Sequence, residues 1–241
     1  MENLRNALLA KNKPAHQFQD NFSVRWISEN RPANLPLSSR PSRGLRKIVQ
    51  SLAPWDVLRE HWFSNRLQCE GIHGLRHAYR VAIHAVIIGT AHYRMNADEA
   101  AAAMFMGLCH DCRRRNDNTD PLHGRRAARW LLCHPHILRG TAARFAQEIR
   151  YAIEVHNDRY DFFDKEHRYF RYGKWVDILK TADALDRYRF PREEWWLSDN
   201  FLRCIPSITE KAFAFDFCQE SERRYVAGGS AGDIIKDTFL K

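Results

Sequence analysis

The chain has 241 residues, 44% of them hydrophobic and 28% charged. That bounds it to one ordinary domain with an extension, rich enough in apolar residues for a sizeable core, and excludes a disordered chain. A net charge of +9 and a pI near 9.4 favour polyanionic partners: nucleic acid, nucleotides or phosphorylated small molecules.

No apolar run is long enough to span a bilayer, and residues 1–13 lack the apolar stretch of a signal peptide. A cytoplasmic protein with no membrane partner is expected. Cys69, Cys109, Cys112, Cys133, Cys204 and Cys218 are scattered, several within helical apolar patterns, and read as reduced core thiols. Cys109 and Cys112 form a CxxC, but no second CxxC follows to complete a structural zinc site.

Residues 1–50 differ from the rest. Pro32, Pro36 and Pro41, with Ser38-Ser39-Arg40 and Ser42-Arg43-Gly44, break periodicity and predict a basic, largely irregular N-terminal arm. A short strand is expected over 23–27. Such an arm suits covering the domain, contacting a partner chain or lying on nucleic acid. From residue 51 the pattern turns helical, with Pro54 at a first turn and Trp55, Leu58 and Trp62 at helical spacing. A turn over 69–74 leads to a helix over 75–93, whose stripe carries His77, Val81, Ala85 and Ile88. The alanine-rich stretch 97–111 predicts a third helix, with Ala103, Met106 and His110 on one face and Asp111 beside His110.

A polar loop, 113–121, precedes a helix over 122–133 with His123 in its first turn. A longer helix over 141–156 places Ile149, Ala152, Ile153 and His156 together. Residues 158–172 read as an aromatic, charged connection. A helix over 175–188 then presents Leu179, Ala182 and Asp183. The tail holds Trp195-Trp196 and one more helix, over 206–220, and ends in Ala227-Gly228-Gly229-Ser230. Runs of period two are scarce, so the fold class is all-α. The organisation is an arm (1–50), a helical domain (51–190) and a helical tail (191–241).

Five helices or helix ends thus present His or Asp to the core: His77, His110-Asp111, His123, His156 and Asp183. One buried histidine is commonly a hydrogen-bonded core residue. Several buried polar groups with no evident partners are different, because a metal ion satisfies them together. In this order the stretches His73-Gly74-Leu75-Arg76-His77-Ala78-Tyr79-Arg80-Val81, His110-Asp111, His123-Gly124-Arg125-Arg126-Ala127-Ala128 and Ala182-Asp183-Ala184-Leu185-Asp186 resemble the HD-domain superfamily of metal-dependent phosphohydrolases. The resemblance covers roughly residues 55–190 and implies an HD-domain helical bundle. It further implies that His77, His110, Asp111 and Asp183 hold a primary metal. His123 and His156 look like the added histidines of the two-metal branch, with Asp111 bridging. One or two divalent ions are expected, Mn²⁺ or Fe²⁺ first, with Zn²⁺, Ni²⁺, Co²⁺ or Mg²⁺ also compatible. Two departures stand out: the GYP motif of the cyclic-dinucleotide phosphodiesterases is absent, and Cys112 follows His110-Asp111 where the CRISPR-associated HD nucleases commonly carry lysine.

The implied chemistry is hydrolysis of a phosphate ester of a nucleotide or related small molecule by metal-activated water, with His110 and Asp111 at its centre. Extra charge on phosphoryl oxygens calls for cationic donors, and Arg113, Arg114 and Arg125 are the candidates, with Lys180 a weaker one. His73, four residues before His77, is a proton-transfer candidate. Asp186 suits orienting a ligand histidine. Two other functions fit the same residues. One is a nuclease on single-stranded DNA or RNA, using the basic arm and Trp195, Trp196, Tyr169 and Phe170. The other is a non-catalytic nucleotide-binding module. Trp195-Trp196 and the tail also suit a homo-oligomer contact.

Overall fold

The computed structural model describes residues 19–37 and 40–241. Among these every regular element is a helix and no strand occurs, as the 3.6-residue periodicity predicts. No helix is long and apolar enough to cross a membrane.

The expected strand at 23–27 is a helix, α1 (Asn21–Glu29). Asp20 caps it, its carboxylate accepting from Ser23 N at 2.7 Å. Ser23, Val24 and Ile27 then fall on one buried face, a spacing that a strand would split between two faces. The arm is also less irregular than predicted. Ser42 caps α2 (Arg43–Leu52), which buries Val49 and packs Leu45, Ile48 and Leu52 against the core. Residues 1–18, Ser38 and Ser39 lie outside the described residues.

A short helix, α3 (Arg66–Glu70), leads into α4 (Leu75–Tyr93), which is buried from Arg76 to Gly89 and forms the axis of the molecule. It packs on α5 (Ala97–Cys109) and on α8 (His167–Leu185). A capping box of Asn96 and Glu99 starts α5. Small residues let α4 and α5 approach closely: a Cβ on Gly107 would lie 2.5 Å from Ala82 Cα. The pair α6 (His123–Cys133) and α7 (Ala146–Val155) closes at a second such point, where a Cβ on Gly124 would lie 2.4 Å from Ile153 O. These two contacts set the positions of His110 and His123.

Two helix starts differ from expectation, and one helix was not expected. α7 starts at Ala146 because a tighter 3-10 turn, Gly140–Phe145, occupies the expected first turn. α8 begins at His167, inside the expected connection, since Tyr172, Trp175, Val176 and Leu179 continue one buried stripe. Beyond α9 (Ile208–Val226), the glycines at 228 and 229 do not end the fold. Ser230 caps α10 (Ala231–Leu240), which buries Ile234, Ile235 and Phe239, the last against Trp55, Phe213 and Phe217.

Candidate metal centre

Six side chains from five helices converge: His77 on α4, His110 and Asp111 just past α5, His123 opening α6, His156 just past α7, and Asp183 near the end of α8. All but Asp183 are buried, and Asp183 opens to the cavity. His110 and His156 sit where their helices run out, so backbone carbonyls of the last turn are near enough to fix the rings.

Each imidazole has Nδ1 committed to an acceptor. His110 Nδ1 donates to Gly107 O at 2.7 Å, His156 Nδ1 to Ile153 O at 2.8 Å and His123 Nδ1 to Asp120 O at 2.5 Å. His77 Nδ1 donates to Asp186 Oδ2 at 2.7 Å. Carbonyl and carboxylate oxygens only accept, so these nitrogens carry a proton, and each ring turns its Nε2 inward. The Nε2 atoms meet in couples: His77 Nε2 is 3.0 Å from His110 Nε2, and His123 Nε2 is 3.0 Å from His156 Nε2. Two such nitrogens at this distance share either a proton or a metal ion between them.

Asp111 stands between the couples. Its Oδ2 is 3.5 Å from His77 Nε2 and 3.9 Å from His110 Nε2; Asp183 Oδ1 completes that group at 3.5 and 3.9 Å from the same nitrogens. Its Oδ1 is 2.9 Å from His123 Nε2 and 3.6 Å from His156 Nε2. That buried oxygen has no hydrogen-bond donor among the described residues. Donors about 2.1 Å from one cation lie about 3.0 Å apart in an octahedron and about 3.4 Å apart in a tetrahedron. The observed separations are of that size. His77, His110 and Asp183 could therefore hold an ion, and His110, Asp111 and His156 form an alternative group around the same His110 nitrogen.

The charges agree. Burial pushes His110 down to about 3, so the ring is neutral and free to ligate. Burial opposes charge on Asp111, but His123 and Arg114 outweigh it and hold the carboxyl well below its usual range. Asp183 is likewise held down, by His77 and Arg189 acting against burial. Both carboxylates are anions at neutral pH.

No protein-family model, no curated protein and no solved structure matches this chain. The geometry of the site is therefore the basis for reading it.

Behind His77 lies an ionic network that the sequence suggested only in part. Asp186, expected to orient a ligand histidine, does contact His77. It also accepts from Arg80 Nε, and from Arg80 Nη2 at 3.1 Å. Arg80 Nη1 reaches Glu222 on α9 at 2.7 Å, and Glu222 in turn takes Arg76 Nε at 3.0 Å. Burial opposes charge on Glu222, but the two arginines outweigh it and hold its carboxyl below the ordinary value. Arg76 and Arg80 lie four residues apart on the helix of His77, a spacing visible in the sequence; the partner from the tail was not.

A cavity of about 680 Å³ opens onto Asp111, His123, His156 and Asp183. Arg114, from the predicted set, lines it, with Nη1 3.7 Å from Asp111 Oδ2. His73 lines it as well, its Nδ1 3.0 Å from Asp117 Oδ1 and its ring edge-on to His77 at 5.7 Å. Burial, helped by Arg189 and Arg114, keeps the His73 pKa well below the usual value, so the ring is neutral.

Three predicted phosphate ligands are placed elsewhere. Arg113 donates to Trp62 O at 3.0 Å and sits over Trp130. Arg125 faces a different concavity and pairs with Asp158 at 3.4 Å. Lys180 Nζ donates to His156 O at 2.7 Å and Asp158 O at 2.6 Å, tying down the segment after α7; burial lowers it to about 8. In their stead Arg187 and Arg189, from the turn Asp186–Arg189, reach the cavity wall along with Phe190 and Trp195. Proximity to Asp183 was the only sequence signal for those arginines. Of the other aromatics expected at the surface, Trp196 packs on Trp26, Tyr188 and Phe215, and Tyr169 donates to Asp177 at 3.0 Å; Phe170 is exposed.

Proposed function

We propose that this protein is a metal-dependent phosphohydrolase of the HD type, acting on a nucleotide or related small phosphate ester. The observation that carries the reading is the set of four imidazoles, each tethered through Nδ1, whose Nε2 atoms divide between the two oxygens of Asp111. That arrangement suits two ions bridged by one carboxylate. Mn²⁺ or Fe²⁺ fits a donor set of imidazole nitrogen and carboxylate oxygen. Such ions, when bound, would polarise a phosphoryl oxygen and lower the pKa of a coordinated water toward neutrality.

The remaining groups have defined tasks. Arg114, Arg187 and Arg189 bring positive charge to the wall where phosphoryl oxygens would gather negative charge in the transition state. His73, neutral and held through Nδ1 by Asp117, keeps Nε2 as a bare, basic nitrogen that would accept a proton during the reaction. Phe190 and Trp195, edge to face at 5.5 Å, offer an aromatic border on which a base would stack. A cavity of about 680 Å³ matches a small organic ligand.

The test is hydrolysis by purified protein with Mn²⁺, offered mononucleotides, cyclic nucleotides, single-stranded DNA and single-stranded RNA, beside Asp111→Ala. Release of phosphate or opening of the ring from the small substrates, abolished in the variant, supports the reading. Cleavage of the polymers alone would replace it with a nuclease. Equal silence of both proteins, with a nucleotide still bound, would make the chain a non-catalytic binding module.

A further inference from the structure

A second concavity, of about 520 Å³, lies among α6, α7 and α8 and shares no lining residue with the metal-centre cavity. Its walls are three helical stripes. Arg125 and Arg129 come from α6 at i and i+4, Arg150 and Glu154 from α7 at i and i+4, and Arg168 and Tyr172 from α8 at i and i+4. Residues at this spacing share one helix face, so the convergence follows directly from the sequence once the helices are packed.

The charge in this groove is unbalanced. Among the described residues Glu154 is the one carboxylate lining it, and Arg168 engages it at 2.9 Å while resting over the Tyr151 ring. Arg125 leans out to Asp158. Among the described residues no carboxylate pairs with Arg129 or Arg150; Arg150 Nε donates only to Ala146 O, at 3.1 Å. The floor is set by Tyr172, whose hydroxyl donates to Gln147 Oε1 at 2.8 Å. Arginines from three helices therefore line one concave space, and two of them, Arg129 and Arg150, have no carboxylate partner among the described residues. Like charges gathered in a cleft repel one another and focus a positive potential that an entering anion relieves. Guanidinium forks match the oxygens of a phosphate group in pairs. Several such forks side by side match several phosphates in a row.

We propose that this arginine groove is a second binding site, separate from the metal centre, that takes a chain of phosphates. The chain would come either from a polyphosphate or from the backbone of a single-stranded nucleic acid, which share this chemistry. The site does not rest on the metal-centre reading, since no metal ligand touches it.

The experiment measures binding of inorganic tripolyphosphate by calorimetry and of a short fluorescent oligothymidylate by anisotropy. Both are done in EDTA, so that metal-bridged binding makes no contribution. Full-length protein is compared with Arg129→Glu/Arg150→Glu, with Arg129→Gln/Arg150→Gln as a milder pair, and with Asp111→Ala. The wild type and Asp111→Ala should bind alike, and either arginine pair should weaken binding at least about tenfold, the size of a lost charge-assisted contact. About three neutralised phosphates give a salt slope of about −2 for a single strand. Oligonucleotide affinity should then fall on the order of fifteenfold between about 50 and 200 mM salt. Equal binding of both probes assigns the site to small polyphosphates, and much tighter oligonucleotide binding assigns it to a strand. Failure of the wild type to bind either probe, or arginine variants that bind like the wild type, would overturn the proposal.

Discussion

Glu222→Gln is the sharpest probe of how the tail supports the metal centre. Glu222 is buried on α9 and lies between Arg76 and Arg80; Arg80 continues to Asp186, and Asp186 to His77. The buried network holds Arg76, Arg80 and Arg189 against Glu222 and Asp186, so removing one carboxylate leaves three cations facing one anion. Deleting one partner of a buried pair costs about 3–5 kcal/mol, because the remaining charge stays desolvated and uncompensated. For a chain of this length each kcal/mol moves Tm by about 2–4 °C, so the variant should melt on the order of 10 °C lower. Thermal unfolding followed by circular dichroism measures this. Adding Arg76→Met to Glu222→Gln removes the surplus cation with the anion. The double variant should therefore recover about 2 kcal/mol relative to the sum of the single changes. A Tm for Glu222→Gln within about 2 °C of wild type, or strict additivity in the pair, would refute the network as described.

Further outcomes follow from the site and the core. Titration calorimetry with Mn²⁺ should find two ions in the wild type, one in His156→Ala and none in Asp111→Ala; ions at a hundredfold excess over Kd should add about 2.7 kcal/mol of stability, lost on chelation. Gly124→Ala drives a methyl into Ile153 O and pries α6 from α7, so it should lower stability by about 1–3 kcal/mol and weaken the His123–His156 ion first, read in the same titration. His84 lies edge-on to Phe213 and Phe217, with Nε2 unpartnered among the described residues, and burial lowers its pKa to about 4. Its folded form resists a proton that the unfolded chain accepts near 6.5. Stability is therefore intact above about 6.5 and declines as pH falls toward 4, by about 3 kcal/mol in all. His73 and His110 titrate with the same sign over that window, so His84→Leu should make the fall of the denaturant midpoint shallower without removing it, and an unchanged slope would count against the assignment.

The all-helical class, and the His and Asp residues that the structure brings together, were legible in the sequence because both are written locally. Helical periodicity is a property of neighbours three and four apart, and it put His77, Asp183 and the residues around Ile153 and His156 on apolar faces. His110-Asp111 at the end of an alanine-rich run needed no tertiary information to read as a candidate chelating pair. Helix ends were less legible. Val24 and Ile27 in a five-residue window do not distinguish a strand from a helix until Asp20 is seen capping, and α10 follows two glycines that ordinarily signal a stop.

What only the tertiary structure decided is which cations face the cavity and what stands behind the clustered histidines. Arg113 and Arg114 are adjacent, and no local rule separates them, yet one sits over Trp130 and the other beside Asp111. Arg125 and Lys180 lie close in sequence to metal-site residues but point out of the cavity, whereas Arg187, Arg189 and Phe190 enter it because the chain turns at Asp186. Glu222 reaches Arg80 from 142 residues away, and Asp186 reaches His77 from 109. The physical reason is common to all of these. A ligand's helix face is set by its own few neighbours, but the direction of a long charged side chain is set by whichever opposite charge the folded core brings within reach, and that depends on the packing of every helix at once.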